Sequence, residues 1–407
     1  MVLMRQRDHL FVLGAQLSYS ALRFATVIFL ARLLTKDEMG QVMFGLNYAL
    51  VFIFLGTLGL DSTAVHFTAK FKAEGAPERL RGFFQNALGI ALVWGMLLSV
   101  CGIALVALSF RLLTLWDTAL FMFSVPFALV QMYGLGVLLG MHDLIGYSTL
   151  FVAQPTLFLL LVLVRAGLGE LDVLSVALSL CISYAITSIA VIRRTAQHIS
   201  ALFRAWQVRW AELREQIGFS FFVYINLIGL FLDSRWPILV MGWLGQVEQI
   251  AYYALSTPIT EASLQIARSV GLVLLARASA GHLPARTQLL GVTFLYIPAM
   301  ALLVILAPWG VHWFFGSAYT PAALLIQVLA PGMIPLTAGI LHVSLQTGRG
   351  HPRIGAFAAA LSLTVMVILS VLLIPLYRAV GAAIATGLAY AVYWGAAVVL
   401  SRRIQSL

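Results

Sequence analysis

The chain has little charge. Only 10% of its 407 residues are Asp, Glu, Lys or Arg, against 61% that are hydrophobic. Its mean hydropathy is +0.98. A soluble domain needs a charged surface, and this chain does not have the residues to make one. Acidic side chains are scarcer than basic ones, 15 against 25, which leaves a net charge of +10. Cysteine is almost absent. Cys101 and Cys181 both fall in apolar segments, which argues against a disulfide framework or a thiolate metal site. His142, His312, His342 and His351 lack the spacing of metal ligands. There is no glycine-rich phosphate loop and no ATP-binding motif. No resident cofactor is implied. With no nucleotide motif, any energy the protein uses would come from a coupling ion, proton or sodium, or from downstream consumption of a product.

Long apolar runs fill the chain instead. A membrane-spanning helix takes about 20 residues, so the expected class is an all-α integral membrane protein of about twelve spans. A first bundle, residues 1–195, is expected to hold helices at about 11–33, 40–62, 84–108, 119–140, 147–167 and 173–192. A second bundle, residues 217–407, is expected to hold helices at about 217–241, 247–275, 289–309, 321–344, 355–375 and 379–400. Residues 196–216 form a basic linker whose Arg and Trp suit an inner membrane surface. A plain linker fits equally well. The first helix is long and ends without a small-residue cleavage site, so it reads as a retained span.

The basic residues give an orientation. With the N-terminus inside, seventeen of the 25 Lys and Arg fall on inner loops and five on outer ones. Basic loops stay in the cytoplasm, which places both termini there. The remaining three, Arg23, Arg235 and Arg268, lie within spans.

Two stretches resemble each other at an offset of 210 residues. Gln16 then meets Asn226, Arg23 meets Asp233, Leu34 meets Leu244 and Glu38 meets Glu248. Two similar halves with charge at matching depth fit a transporter whose site lies between the halves.

Polar groups inside apolar helices are expensive and mark function by default. Gln16, Ser20 and Arg23 share one face of the first helix, at i, i+4 and i+7. Asn226 and Asp233 share a face of the seventh, and Glu261, Gln265 and Arg268 a face of the eighth. Arg235 points away from Asp233, since i and i+2 do not share a face. It would line a cavity alone or snorkel outward. Asp61 falls near the inner end of the second helix, within reach of the interface. The functional expectation is a hydrated central cavity with Arg for phosphate and carboxylates for a proton or ion. The plainer alternative is pairing that locks helices, Arg23 with Asp233 or Glu261 with Arg268.

Five segments in order carry a family resemblance. They are LARLLTKDEMGQVMF (Leu30 to Phe44), LDSRWPILVMGWLGQVEQIAYYAL (Leu232 to Leu255), WFFGSAYTPAALLIQVLA (Trp313 to Ala330), QTGRGHPRI (Gln346 to Ile354) and LLIPLYRAVGAAIATG (Leu372 to Gly387). Together they resemble the polysaccharide transporter family, the O-antigen and exopolysaccharide flippases. That family shares a superfamily with the multidrug and toxin extrusion antiporters and the lipid II flippase. Two positions depart from the usual pattern: Gln249-Ile250 stands where a glycine often precedes the tyrosine, and Arg378 where glycine is usual. The resemblance implies two six-helix bundles around a cavity that opens alternately inward and outward. It also implies an undecaprenyl-pyrophosphate-linked oligosaccharide as cargo, moved from the cytoplasmic to the periplasmic leaflet of a bacterial inner membrane. Other polysaccharide-assembly membrane proteins would be its partners, with no nucleic acid involved.

Two other readings compete. A drug or cation antiporter of the sister family would need an acidic cavity, where a sugar pyrophosphate needs a cationic one. A membrane polymerase or ligase would need a sizeable outer loop, and the longest expected here is about a dozen residues. The segments also have structural readings. FGSAY is a tight turn, TGRGHPRI is a helix stop and restart, and GAAIATG is a small-residue face for close helix packing.

Overall fold

A computed structural model describes residues 6–109, 112–199, 210–265, 267–268, 270–271, 274 and 286–405. Its described residues are helical, joined by short turns. The helices are α1 Gln6–Leu33, α2 Lys36–Thr57, α3 Leu60–Ala73, α4 Pro77–Ser109, α5 Leu115–Gly140, α6 Leu144–Gly167 and α7 Val173–His198. They continue as α8 Trp210–Trp243, α9 Val247–Ala262, α10 Arg286–Phe315, α11 Thr320–Gly348 and α12 Arg353–Gln405. Among the described residues, nine helical segments are long and apolar enough to cross a membrane. The chain is a multi-pass membrane protein. Much of the basic linker expected at 196–216, including residues 200–209, lies outside the described residues.

The chain packs as two compact units, Met1–Glu38 with Gly45–Phe221, and Met39–Phe44 with Phe222–Leu407. In the first unit α5 is the most enclosed helix, set against α3, α4 and α7, while α1 lies along α6. Short polar caps start these helices. Thr35 and Glu38 form a reciprocal capping box for α2, and Thr114 and Asp117 do the same for α5. One face of α4 exposes Leu92, Val93, Met96, Leu97 and Val100, an apolar stripe suited to lipid. The opposite face is made of small residues that admit α5. Ser99 donates to the Met122 carbonyl at 2.7 Å, and a Cβ on Gly95 would lie 2.8 Å from the Pro126 backbone.

In the second unit α11 packs on α9, α10 and α12. The GAAIATG segment packs as a small-residue face: Ala382, Ala383, Ala385 and Thr386 are fully buried. Gly332 of α11 meets Gly387 so closely that a Cβ on Gly332 would stand 2.6 Å from the Gly387 Cα.

Two boundaries differ from the sequence reading. The second expected helix ends early, at Thr57, because Leu58 and Gly59 both take left-handed backbone angles, φ 48° and 74°. The chain then re-enters a helix, so the stretch between the second and third expected helices is mostly α3 and the start of α4. Phe67 and Phe71 hold that segment in place by packing on each other and against the start of α4. The eighth expected helix, about 247–275, is interrupted by a turn at Ser263, after which the described residues between 264 and 274 are again helical. Pro258 has already removed one of its backbone donors, and the Ser263 hydroxyl donates to the Thr260 carbonyl at 2.5 Å. The last two expected helices, about 355–375 and 379–400, are both present and meet at a kink at Arg378, where φ is 52° and ψ −134°. That backbone geometry favours glycine, which explains why a glycine is usual at this position and marks Arg378 as strained.

Candidate functional site

The expected site residues divide between the two units. Gln16 and Arg23 belong to the first; Asn226, Asp233, Arg235, Glu261, Gln265 and Arg268 belong to the second.

In the first unit α1 turns an open face from Gln16 to Arg23, both exposed. The Ser20 hydroxyl donates to the Gln16 carbonyl at 3.0 Å. Arg23 lies over the Tyr19 ring, 5.6 Å from its centroid, with Nη1 3.5 Å from the tyrosine oxygen. Tyr19 in turn stacks on Phe151 of α6 at 4.5 Å, and Phe151 stacks on Tyr147 at 5.5 Å. Three rings and a guanidinium thus form one ladder, in which each member fixes the next. Beside it lies a pocket enclosed by α1, α2, α6 and α7, with about 80 Å³ of room inside. Its polar wall is Tyr19, Arg23, Thr26, Gln154 and Tyr184. The rest is apolar, including Val27, Leu30, Leu50, Ile53 and Phe158. Gln154 is held by a bond from its Nε2 to the Ser183 hydroxyl at 3.2 Å. Next to it, Pro155 lacks the amide that would bond the Phe151 carbonyl, which loosens α6 at the pocket.

In the second unit the polar residues are paired. Asp233 is fully buried, and Ser362 donates to its Oδ2 at 2.5 Å. The same Ser362 oxygen lies 2.8 Å from the Ala389 carbonyl. Among the described residues Asp233 Oδ1 has no hydrogen-bond partner. Arg235 Nη2 meets Glu261 Oε2 at 3.2 Å, and its guanidinium lies over the Phe231 ring. The Tyr393 hydroxyl donates to Asn226 Oδ1 at 3.0 Å, and Tyr253 and Thr386 share a bond of 2.8 Å. Gln265 and Arg268 are exposed.

One pairing considered from sequence needs correction. Glu261 pairs with Arg235 of another helix, not with Arg268. Arg235 neither stands alone nor snorkels outward, since its partly buried guanidinium has Glu261 as counter-charge. Asp233 accepts from Ser362. Asp61 lies beyond the break at Leu58–Gly59, in the first turn of α3.

Sequence reasoning missed Tyr19, Gln154, Tyr184 and Ser362. Tyr19 had a signal: it stands four residues before Arg23, the spacing at which helix side chains meet. Gln154 had a weaker one, a polar side chain beside a proline in mid-span. A third cluster, also missed, lies at the turn before α6. There Arg194 grips Asp143 with a fork, Nε to Oδ2 at 2.6 Å and Nη2 to Oδ1 at 3.1 Å. His198 Nε2 lies 2.8 Å from Oδ2, and the Gly146 amide donates to Oδ1 at 3.0 Å. On the other side of this turn Lys72 donates to the Met141 carbonyl at 2.7 Å.

Solved structures share this architecture. An inward-facing multidrug resistance MATE family transporter of the MOP superfamily matches 94% of this chain and 93% of its own, with a TM-score of 0.75 and 14% identity. The lipid II flippase MurJ, in an inward closed conformation, matches 97% of this chain and 87% of its own, with a TM-score of 0.77 and 13% identity. The fold is that of the MOP-superfamily transporters. A MOP superfamily transporter from Pyrococcus furiosus, described as having a binding pocket of reverse polarity, matches 98% and 93% at a TM-score of 0.58 and 14% identity. No protein-family model matches the chain, and no curated protein does. A multidrug resistance transporter and a lipid II flippase thus share this fold.

Proposed function

We propose that the protein is a flippase for undecaprenyl-pyrophosphate-linked oligosaccharides. It carries repeat units for O-antigen or exopolysaccharide from the cytoplasmic to the periplasmic leaflet of a bacterial inner membrane, by alternating access. The observation that carries the reading is the pocket beside Arg23. Its charged wall is cationic, and none of the fourteen described residues that line it is acidic. Arg keeps its charge in a low-dielectric site, and its planar fork matches phosphate oxygens. A cation antiporter would want a carboxylate there. The carboxylates of the second unit, buried Asp233 and partly buried Glu261, are instead engaged by Ser362 and Arg235.

Asp233 is the group we assign to the coupling ion. Ser362 has one hydroxyl hydrogen and two acceptors in reach, Asp233 Oδ2 and the Ala389 carbonyl. A proton on Asp233 would let the acid donate to Ser362 and Ser362 donate to Ala389, so that both short contacts are hydrogen bonds. Arg23 and Arg268 would hold the pyrophosphate, with Gln16, Asn226 and Gln265 as polar lining. The test is Arg23→Ala and Arg268→Ala in cells that depend on the protein, with membrane insertion verified. Lipid-linked repeat units should accumulate on the inner leaflet, and Arg23→Lys should restore part of the flux. Normal transport by both Ala variants would remove the Arg assignment. Efflux of organic cations by the wild type, without movement of lipid-linked sugar, would favour the antiporter reading.

A further inference from the structure

The pocket of the first unit has a direction. On α1 its lining runs from Tyr19 and Arg23 to Val27 and Leu30, polar first and apolar afterwards. On α7 the order reverses, Leu180 before Tyr184. If the two helices cross the membrane in opposite directions, as successive odd and even spans require, both orders place polarity at the same end. From Arg23 to Leu30 the axial rise is about 10 Å. The slot is therefore amphipathic along its length, with a guanidinium and two tyrosines at one end and an apolar floor of Val27, Leu30, Phe158 and Leu180 beyond. Neither a free sugar nor a free phosphate accounts for that floor, and a free hydrocarbon does not account for the guanidinium.

We infer that this slot binds the junction of the lipid carrier, its phosphate at Arg23 and the first part of its apolar chain along the floor. The inference rests on the flippase reading and assigns part of the cargo to a place within one unit. Charge complementarity selects the occupant. A phosphate on a hydrocarbon chain satisfies both ends, while an organic cation would meet Arg23 with like charge. The Tyr19–Phe151–Tyr147 ladder makes Tyr19 a positioning residue. It holds the guanidinium at the slot's end before the lipid arrives, which lowers the ordering cost of binding.

The test uses the full-length protein in nanodiscs and four probes: undecaprenyl phosphate, undecaprenol, inorganic pyrophosphate and phosphatidylglycerol. Undecaprenyl phosphate should bind at least ten-fold more tightly than each of the other three. Arg23→Gln should remove that preference over undecaprenol. Leu30→Trp, which fills the floor, should weaken undecaprenyl phosphate ten-fold or more and leave pyrophosphate unchanged. Equal binding of phosphatidylglycerol would overturn the inference, since the slot would then be a general lipid site. A measurement on the unmodified protein guards against misfolded variants. A chain-borne photoreactive prenyl phosphate should label residues 27–30 and 154–158, and labelling confined to other segments would also overturn it. Failure here with intact flipping in cells removes the slot and keeps the flippase. Absence of flipping by the wild type removes the flippase itself.

Discussion

Arg378 and Asp143 show how much one residue can hold. Arg378 sits at φ 52° and ψ −134°, a conformation that costs a side chain with Cβ on the order of 1–3 kcal/mol. Arg378→Gly should therefore raise the thermal midpoint of the detergent-solubilised protein, and a lower midpoint would show that the arginine side chain offsets its strain. Asp143 is held well below the usual carboxylate range, first by its hydrogen bond to the Arg194 guanidinium and further by His198 and the Gly146 amide, against an opposing effect of burial. A depressed folded-state pKa gives stability that is fully present above the unfolded value of about 4 and is lost as pH falls below it. Asp143→Asn should cost stability at pH 7. The gap between variant and wild type should stay level down to about pH 5 and narrow below about pH 4. Melting curves across that range decide it. At this scale the sequence was readable where charge was costly. Asp233, Arg235 and Glu261 stood out as ionisable groups in apolar helices. Their partners were partly hidden, because hydroxyls such as Ser362 are tolerated in any membrane helix and carry no mark of their own.

Helices were legible by length and apolarity, and their joints only in part. Hydropathy alone ran through the break at Leu58–Gly59, since both residues suit a span interior as well as a joint. It also ran through the turn at Ser263. The break between the last two helices was expected after residue 375, and the kink at Arg378 lies there. Close helix contact was easier to read, because stretches of small residues have one main physical use. Gly332 and Gly387 define the nearest approach of α11 and α12. Gly332→Leu puts a side chain against backbone, which cannot yield as a flexible side chain would. Overpacking of this kind costs about 1–3 kcal/mol. The variant should melt earlier and expose α11 to proteolysis, while Gly14→Leu, at a position with no neighbouring atom within 4 Å, should not. Equal melting of the two would mean that α11 and α12 separate at little cost.

For the whole molecule, composition fixed the class and the fold followed from helix count and order. The sites were harder to read, because a pocket is a property of four helices at once, while a sequence shows one face at a time. Arg23 was visible alone; Gln154 and Tyr184 joined it only through packing. Orientation rests on the basic loops and is open to direct test. Reporter fusions after Trp116 and Tyr319 should score periplasmic, and fusions after Gly75 and Gly350 cytoplasmic. Reversal at any two of these positions would invalidate the topology.

The joint at Leu58–Gly59 gives α2 a mechanical property. Its 22 residues form a rod of about 33 Å, with a fulcrum at one end. Beyond that fulcrum α3 is anchored, since Lys72 is tied to the Met141 carbonyl and α3 packs on α5. A swing of only about 10° at the two left-handed residues would carry the Lys36 end through about 6 Å. That displacement is as large as a full helical turn, and it needs no hydrogen bond within α2 to break. A small change of two backbone torsions at the base of α2 would in this way become a large travel at its far end.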